Sequence, residues 1–467
     1  MSTMAMDSIT KPADQRPIYA TNIILSDEQQ AAFDLFKKGK NVFLSGPGGS
    51  GKSCLIKEMV NYCRDRKVRV DVCALTGCAA LLLEGCKAKT IHSWAGIGLG
   101  TGSIEETAKH LAKHKRKSEN WKDVHVLIVD EVSMMSKKLF EMLNLSGKLV
   151  RKSEVPFGGI QLVFSGDFFQ LPPVPSPDQE DTDKFCFESP QWYEVFPKAN
   201  HVLLKKIFRQ DNALFSKILN QIRVGKISKN SCAVLKTHVG KKKSEEMKVT
   251  PTLLYPRRHQ VEKTNDRELN VLVGEEHIYN ISRVPETDAL IEIFTAIERE
   301  ICKKALPQEK DNEYLFLEKG ANCDSRIVLK LGAQVMCTVN LEMDSDKPIC
   351  NGSQGIVVDF TSDGFPVVEF FNGVRRKMGK HKWKSEKIPS VQVGQVPLML
   401  AWALTIHKCQ GATLDIAEMD LGNRIFECGQ TYVALSRVRS LDGLYLKSFD
   451  PYKIRVNSKV IKFYDGI

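Results

Sequence analysis

No stretch of the sequence is long and apolar enough to suggest a membrane span. The longest largely apolar run extends only from Val396 to Ile406, well short of the roughly 20 residues a helix needs to cross a bilayer. The opening MSTMAMDSITKPADQRPIYA has neither a basic segment leading into an apolar one nor the Arg-rich, acid-poor face of a transit peptide. The expectation is an intracellular protein; the residues do not distinguish nucleus, mitochondrion, bacterial cytoplasm and virus-infected cell. Paired cysteines are missing too. The 13 cysteines are an odd number, scattered from Cys54 to Cys428 with no C-x-x-C pair and no Cys/His cluster at zinc spacing. Reduced, mostly buried thiols and no structural zinc are expected. Internal repeats and low-complexity segments are also absent.

What is present is ample core material and an excess of positive charge. Of 467 residues, 42% are hydrophobic, enough for about three domains to bury cores. Lys and Arg number 67 against 56 acidic residues, a net charge of +11 that favours a polyanionic partner. Charge runs at Lys113 to Lys117, Lys241 to Lys243 and Arg375 to Lys387 read individually as solvated basic faces.

Residues 1–22 are polar and Pro-interrupted, predicting a flexible tail. From residue 23 to 198, β-rich runs (Val42 to Ser45, Val68 to Ala74, Val124 to Val129, Ile160 to Ser165) alternate with helical patterns (Ser53 to Arg64, Lys137 to Val150). That alternation predicts a parallel α/β sheet. A second α/β unit is expected from about 199 to 274, opening with a strand at His201 to Leu204. It resumes from 395 to 467. Between them, 275–394 carries short β-rich runs such as Arg326 to Leu331, Gln334 to Thr338, Gly355 to Phe360 and Pro366 to Phe371. These predict a small inserted β-rich domain.

Gly46-Pro47-Gly48-Gly49-Ser50-Gly51-Lys52-Ser53 fits G-x-x-x-x-G-K-[ST] between an apolar strand and a helical pattern. Such a loop curls backbone N–H groups around phosphate oxygens. Lys52 then reaches the outer phosphates, and the Ser53 hydroxyl is a ligand for Mg²⁺. Leu127 to Glu131 is an apolar strand ending in two carboxylates. Asp130 is the candidate second metal group and Glu131 the candidate base for water. Together these motifs identify a nucleoside triphosphatase without saying what work it performs.

The remaining segments, in order from Leu25 to about Leu446, resemble the superfamily one, type B DNA helicases of the PIF-one (petite integration frequency) type. They are Leu25 to Gln29; Cys73 to Ala80 with Thr90 to Gly98; Asp130 to Met134; Phe157 to Pro173; Phe208-Arg209-Gln210; Trp402 to Thr413; and Tyr432 to Arg439. The resemblance implies two RecA-like P-loop motor domains, α/β in class, with an SH3-like accessory insertion at 275–394. It also implies a strand-separating wedge element at about 98–122.

By the same resemblance Gln29 reads adenine, while Gly46, Gly48, Gly49, Ser50 and Gly51 line the ATP phosphates. Gln170 senses the γ-phosphate and links it to the DNA groove. Thr76, His92, Ser93, Thr405, His407 and Lys408 meet single-stranded DNA, with Trp94 a weaker candidate beside His92. Arg209 and Arg437 lie in the second unit; if both reach the γ-phosphate, they do so only when the two units close on ATP. The implied function is an ATP- and Mg²⁺-dependent 5′ to 3′ DNA helicase acting on single strands and partial duplexes, and extending to G-quadruplexes and RNA–DNA hybrids. It is expected to be monomeric when free. Two alternatives stay open: an RNA helicase of the same superfamily, against which Asp130-Glu131-Val132-Ser133-Met134 argues, and a non-unwinding ATPase or nucleic-acid-binding scaffold. Gln354 departs from the family by replacing a basic residue in the turn Asn351 to Gly355.

Overall fold

The chain is described by a computed structural model covering residues 24–467, except 77, 78, 81, 82, 84, 87, 99, 101, 116, 177, 178, 209–211, 243–248, 293, 321, 322, 340, 342–348, 350, 386, 387, 407, 408, 410–412 and 424. The expectations for the tail 1–22 and for Arg209, His407 and Lys408 therefore fall outside the described residues.

Six strands build the first sheet: β1 (Val42–Ser45), β2 (Val70–Ala74), β3 (Lys89–Thr90), β4 (Val126–Asp130), β5 (Gln161–Gly166) and β6 (His201–Leu203). They lie in the order β3-β2-β4-β5-β1-β6, and every pairing is parallel. The central strands β1, β4 and β5 are largely apolar because both faces are covered. Val42 and Leu44 face Leu55, Ile56, Met59 and Val60 of helix Lys52–Asp65, whose i, i+3/i+4 spacing makes one apolar stripe. Phe43 faces the opposite core with Phe140, Phe164, Phe168 and Trp192.

Two expectations need correction. The strand at His201 belongs to the first sheet, where His201–Leu203 pairs with Phe43–Ser45. His201 is also held there by its ring nitrogen Nε2, 2.9 Å from the Phe196 carbonyl. Likewise, the C-terminal helix Ser458–Asp465, expected in the second unit, packs into the first unit's core through Val460 and Phe463. The Phe463 ring lies 4.3 Å from Phe187 and 5.8 Å from Phe43. Burial of that aromatic face decides where the helix goes.

The second sheet has four parallel strands in the order Ala403–Thr405, Thr252–Tyr255, Ala417–Leu421, Leu444–Phe449. Helix Ala213–Arg223 covers it with Phe215, Ile218, Leu219 and Ile222.

Residues inserted between the first and second of these strands in chain order, Thr252–Tyr255 and Ala403–Thr405, form a separate core. A five-stranded antiparallel sheet runs Arg375–Lys377, Pro366–Phe370, Gln354–Phe360, Gln334–Cys337, Leu398–Leu400, so its last strand lies beyond residue 394. The insertion also holds helices Asp288–Glu292, Ala296–Lys304 and Pro307–Gly320, which the β-rich reading had not anticipated. In the second of these, Thr295 and Glu298 close a capping box.

Gln354 is fully buried. Its amide donates to Thr252 Oγ1 at 2.6 Å and to the Ile416 carbonyl at 3.0 Å. It therefore ties the insertion to the second parallel sheet, which explains a neutral amide where a basic residue was expected. Gln334 makes a parallel tie, donating to the carbonyls of Thr250 at 2.7 Å and Ala401 at 3.0 Å.

Candidate active site

Strand β5 lies between β1 and β4, so three chain segments leave neighbouring strands at the carboxyl edge of one parallel sheet. They are the glycine loop after β1, Asp130-Glu131 at the end of β4, and Asp167 to Gln170 after β5. Open α/β sheets present ligand sites at this edge. Here a cavity of about 450 Å³ is lined by Gly48 to Ser53, Asp130, Glu131, Gln170, Phe208 and Arg437. The fold thus gathers most of the residues expected to meet nucleotide, including one from the second unit.

Gln29 reaches the loop from the first helix, Asp27–Lys37. Its side-chain oxygen accepts the Ser26 N–H at 2.9 Å in a capping box, leaving Nε2 3.5 Å from the carbonyls of Ser50 and Gly51. Lys52 Nζ donates to the Gly46 and Pro47 carbonyls at 2.7 and 3.0 Å. Burial lowers its pKa, and the carboxylates of Asp167, Glu131 and Asp130 oppose that shift. Burial raises the Asp130 pKa, with the Ser165 hydroxyl and Lys52 as partial offsets. Glu131 occupies the left-handed backbone region at φ 55°. Such conformations are uncommon outside glycine and concentrate at functional sites.

Hard oxygen donors suit Mg²⁺. Asp130 and the exposed Ser53 line the same cavity as the half-buried Lys52, a donor set that fits a divalent cation beside a polyphosphate.

Arg437 is 2% exposed. Its guanidinium donates to the Val433 carbonyl at 3.0 Å and to Ser436 Oγ at 2.7 Å, and burial lowers its pKa while Glu131 favours the charge. It follows helix Gln430–Leu435, whose Tyr432 phenol accepts the Gly48 N–H at 2.9 Å. At the start of that helix Gly429 has φ +75°, and a Cβ there would lie 2.5 Å from the Phe169 and Gln170 carbonyls. Only glycine allows this approach between the units.

The PIF1-like helicase family model matches residues 24–233. The ATP-dependent DNA helicase RRM3 of Saccharomyces cerevisiae is 32% identical over 98% of this chain and 69% of its own length. This chain belongs to the PIF1-like helicase family. It is also 34% identical to the ATP-dependent DNA helicase PIF1 of Homo sapiens, over 97% of this chain but 65% of that one, so it spans about two thirds of these relatives.

The crystal structure of Pif1 helicase from Candida albicans aligns with TM-score 0.71 and 33% identity, covering 95% of this chain and 99% of that one. Pif1 helicase from Bacteroides in complex with ADP-AlF3 and ssDNA aligns with TM-score 0.62 and 27% identity, covering 95% and 97%.

The described residues expected to meet DNA through the strand grip, Thr76, His92, Ser93 and Thr405, are not among those lining this cavity. Thr76 spends its hydroxyl on a local cap, accepting the Ala79 N–H at 3.2 Å. His92 and Ser93 are half-buried on the short helix Ile91–Ala95, and burial lowers the His92 pKa. Trp94 does not face a groove. It is 1% exposed, donates to Asp71 Oδ2 at 2.8 Å and packs 4.7 Å from Trp121, because its indole completes the core. Thr405 lines a separate cavity of about 350 Å³ with Pro256, Arg258, Asn265 and Asp324. The expected wedge segment contains helix Ile104–Lys113, which buries Ala108 and Leu111.

Sequence reasoning singled out neither Phe208 nor Tyr432, although both stood inside quoted motifs. The Phe208 ring borders the cavity and its N–H donates to the Gly49 carbonyl at 2.8 Å. A bidentate ion pair was also missed, from Arg223 to Asp167 at 2.8 Å on each arm. A lone arginine at a helix end carries no motif that could have announced it.

Proposed function

We propose that this chain moves 5′ to 3′ along single-stranded DNA as it hydrolyses ATP, and that this movement separates the duplex ahead. As a member of the PIF1-like family it is an ATP-dependent DNA helicase whose partner is DNA. The direction, the residue roles and a monomeric state when free are our reading. The direction rests on membership of the family, and one observation carries the coupling of hydrolysis to movement: Arg437 of the second unit lines the same cavity as Lys52 and Glu131 of the first. A nucleotide there touches both units, so hydrolysis and inter-unit movement are coupled.

In this reading the loop Gly46 to Gly51 cradles the phosphates and Gln29 holds the base. Ser53 and Asp130 hold Mg²⁺, which when bound offsets charge on the phosphate oxygens. Glu131 takes the proton of the attacking water. Lys52 and Arg437 oppose negative charge on the transferred phosphoryl group, and Arg209 is assigned the same role. Gln170 reports the γ-phosphate to the strand held by Thr76, His92, Ser93, Thr405, His407 and Lys408. A grip on one strand also acts on G-quadruplexes and RNA–DNA hybrids.

The experiment is strand displacement from partial duplexes bearing either a 5′ or a 3′ single-stranded tail, run beside Glu131→Gln. Unwinding confined to the 5′ tail and lost in the variant is expected. Preference for the 3′ tail would refute the direction, and turnover without displacement would favour a non-unwinding ATPase.

A further inference from the structure

Behind the nucleotide loop, three distant parts of the chain meet around one phenol. Tyr464 belongs to the C-terminal helix, and its hydroxyl is 2.6 Å from Ser45 Oγ, the residue immediately before Gly46. The same oxygen accepts the Phe168 N–H at 3.1 Å. Between Tyr464 and Ser45 either hydroxyl can donate, so the phenol bridges Ser45 and the Phe168 N–H whichever proton is shared. Burial raises the Tyr464 pKa and so keeps the phenol protonated. One hydroxyl thereby fixes the spacing between the start of the nucleotide loop and the segment leading to Gln170.

The second unit closes on the same cluster. The Tyr464 ring stacks on Phe169 at 4.7 Å and 12°. The Arg223 guanidinium, from helix Ala213–Arg223, lies 4.6 Å from the Phe169 ring centre and 5.6 Å from that of Tyr464. Asp167, fully buried, holds Arg223 in the bidentate pair and accepts the Phe169 N–H at 3.2 Å, while its carbonyl accepts the Gln170 N–H at 2.9 Å. Any displacement of helix Ala213–Arg223 therefore loads the four residues that end in Gln170. Neither Tyr464 nor Arg223 lines the cavity that holds Lys52 and Glu131.

We propose that Tyr464 and Arg223 are positioning residues that set Gln170 against the nucleotide loop, and that through Gln170 they make ATP turnover respond to a bound single strand. This rests on the reading of Gln170 given under Proposed function. The phenol and the guanidinium act only by holding the Asp167 to Gln170 segment in register with Ser45 as the units close.

The test uses Tyr464→Phe, which keeps the ring stack and removes only the hydroxyl, together with Gln170→Ala and the double variant. Turnover is measured with and without an oligothymidine strand, with thermal midpoints alongside. Tyr464→Phe is expected to lower strand-stimulated kcat about three- to tenfold, as loss of one hydrogen-bonding hydroxyl allows, while the KM for ATP moves less than about twofold. The double variant is expected to be no slower than Gln170→Ala, because residues acting through one path do not add. Arg223→Lys, which keeps the charge without the fork, is expected to lose stimulation as Tyr464→Phe does.

Parental stimulation in Tyr464→Phe overturns the proposal, and so do losses that multiply in the double variant. If Gln170→Ala itself responds normally to the strand, the reading of Gln170 falls, and this route falls with it. That failure is distinguishable because it appears in the single Gln170 variant.

Discussion

At the residue scale, Arg437 is the most exacting case. Its hydrogen-bond partners among the described residues, Val433, Cys409 and Ser436, are all neutral. Among the described residues no carboxylate lies at salt-bridge distance and, of the carboxylates, only Glu131 favours the charge from farther away, a costly arrangement for a buried cation that suits an anion arriving with the ligand. Arg437→Ala is expected to keep single-strand affinity, read by fluorescence anisotropy, and to lose about 10³-fold or more in ATP turnover, roughly 4 kcal/mol of barrier. Near-parental turnover would remove it from the site. Histidines make a second prediction. Burial holds His201, His92 and His238 below the ordinary imidazole value, with carbonyl contacts opposing this at His201 and His238. The unfolded chain therefore binds protons that the folded chain refuses. Stability is full above about pH 6.5 and is lost as the pH falls toward the folded values. Urea midpoints at pH 7.5 and 5.5 should show the fall, and His201→Asn should flatten it; an unchanged slope would exclude His201. Asp130, Glu131 and Lys52 were legible because their chemistry requires fixed neighbours in sequence. Tyr464 was not, because what makes it matter is a contact with Ser45 across the whole chain.

At the scale of elements, Gln354 separates a surface role from a structural one. Restoring a cation at this fully buried position by Gln354→Arg would strand a charge among Thr252 and Ile416. The expected result is a loss of about 3 kcal/mol or more in urea unfolding, with no gain in single-strand affinity. Tighter binding at unchanged stability would mean that the turn reaches phosphate after all. The parallel strands carrying the nucleotide residues were readable from apolar runs bounded by glycine and acid. Which sheet a three-residue strand joins was not, since His201–Leu203 has no pattern of its own and is placed by its pairing with β1. The helices of the insertion escaped because their sequences are largely polar. The capping residues Thr295 and Glu298 were nevertheless a local sign of one of them.

At the scale of the whole molecule, the first motor core is completed by the last residues of the chain. Phe463 is 5% exposed and its ring lies within 6.1 Å of those of Phe43, Phe168, Phe187, Trp192 and His201. No local pattern in a short amphipathic helix reveals a return over so long a separation. The consequence is that the nucleotide site depends on the C-terminus twice, through Phe463 for stability and through Tyr464 for geometry. Phe463→Ala is expected to cost about 3–5 kcal/mol, as truncation of a large core aromatic does. The loss should appear as a lower thermal midpoint and faster proteolysis within β1 to β6. Because a nucleotide that binds the folded cavity does not bind the unfolded chain, adding ADP should recover part of the midpoint, by an amount that grows with the logarithm of ligand concentration. If Phe463→Ala instead leaves the midpoint unchanged, the helix only rests on the core, and Tyr464 would lose the rigid support its hydrogen bond to Ser45 requires.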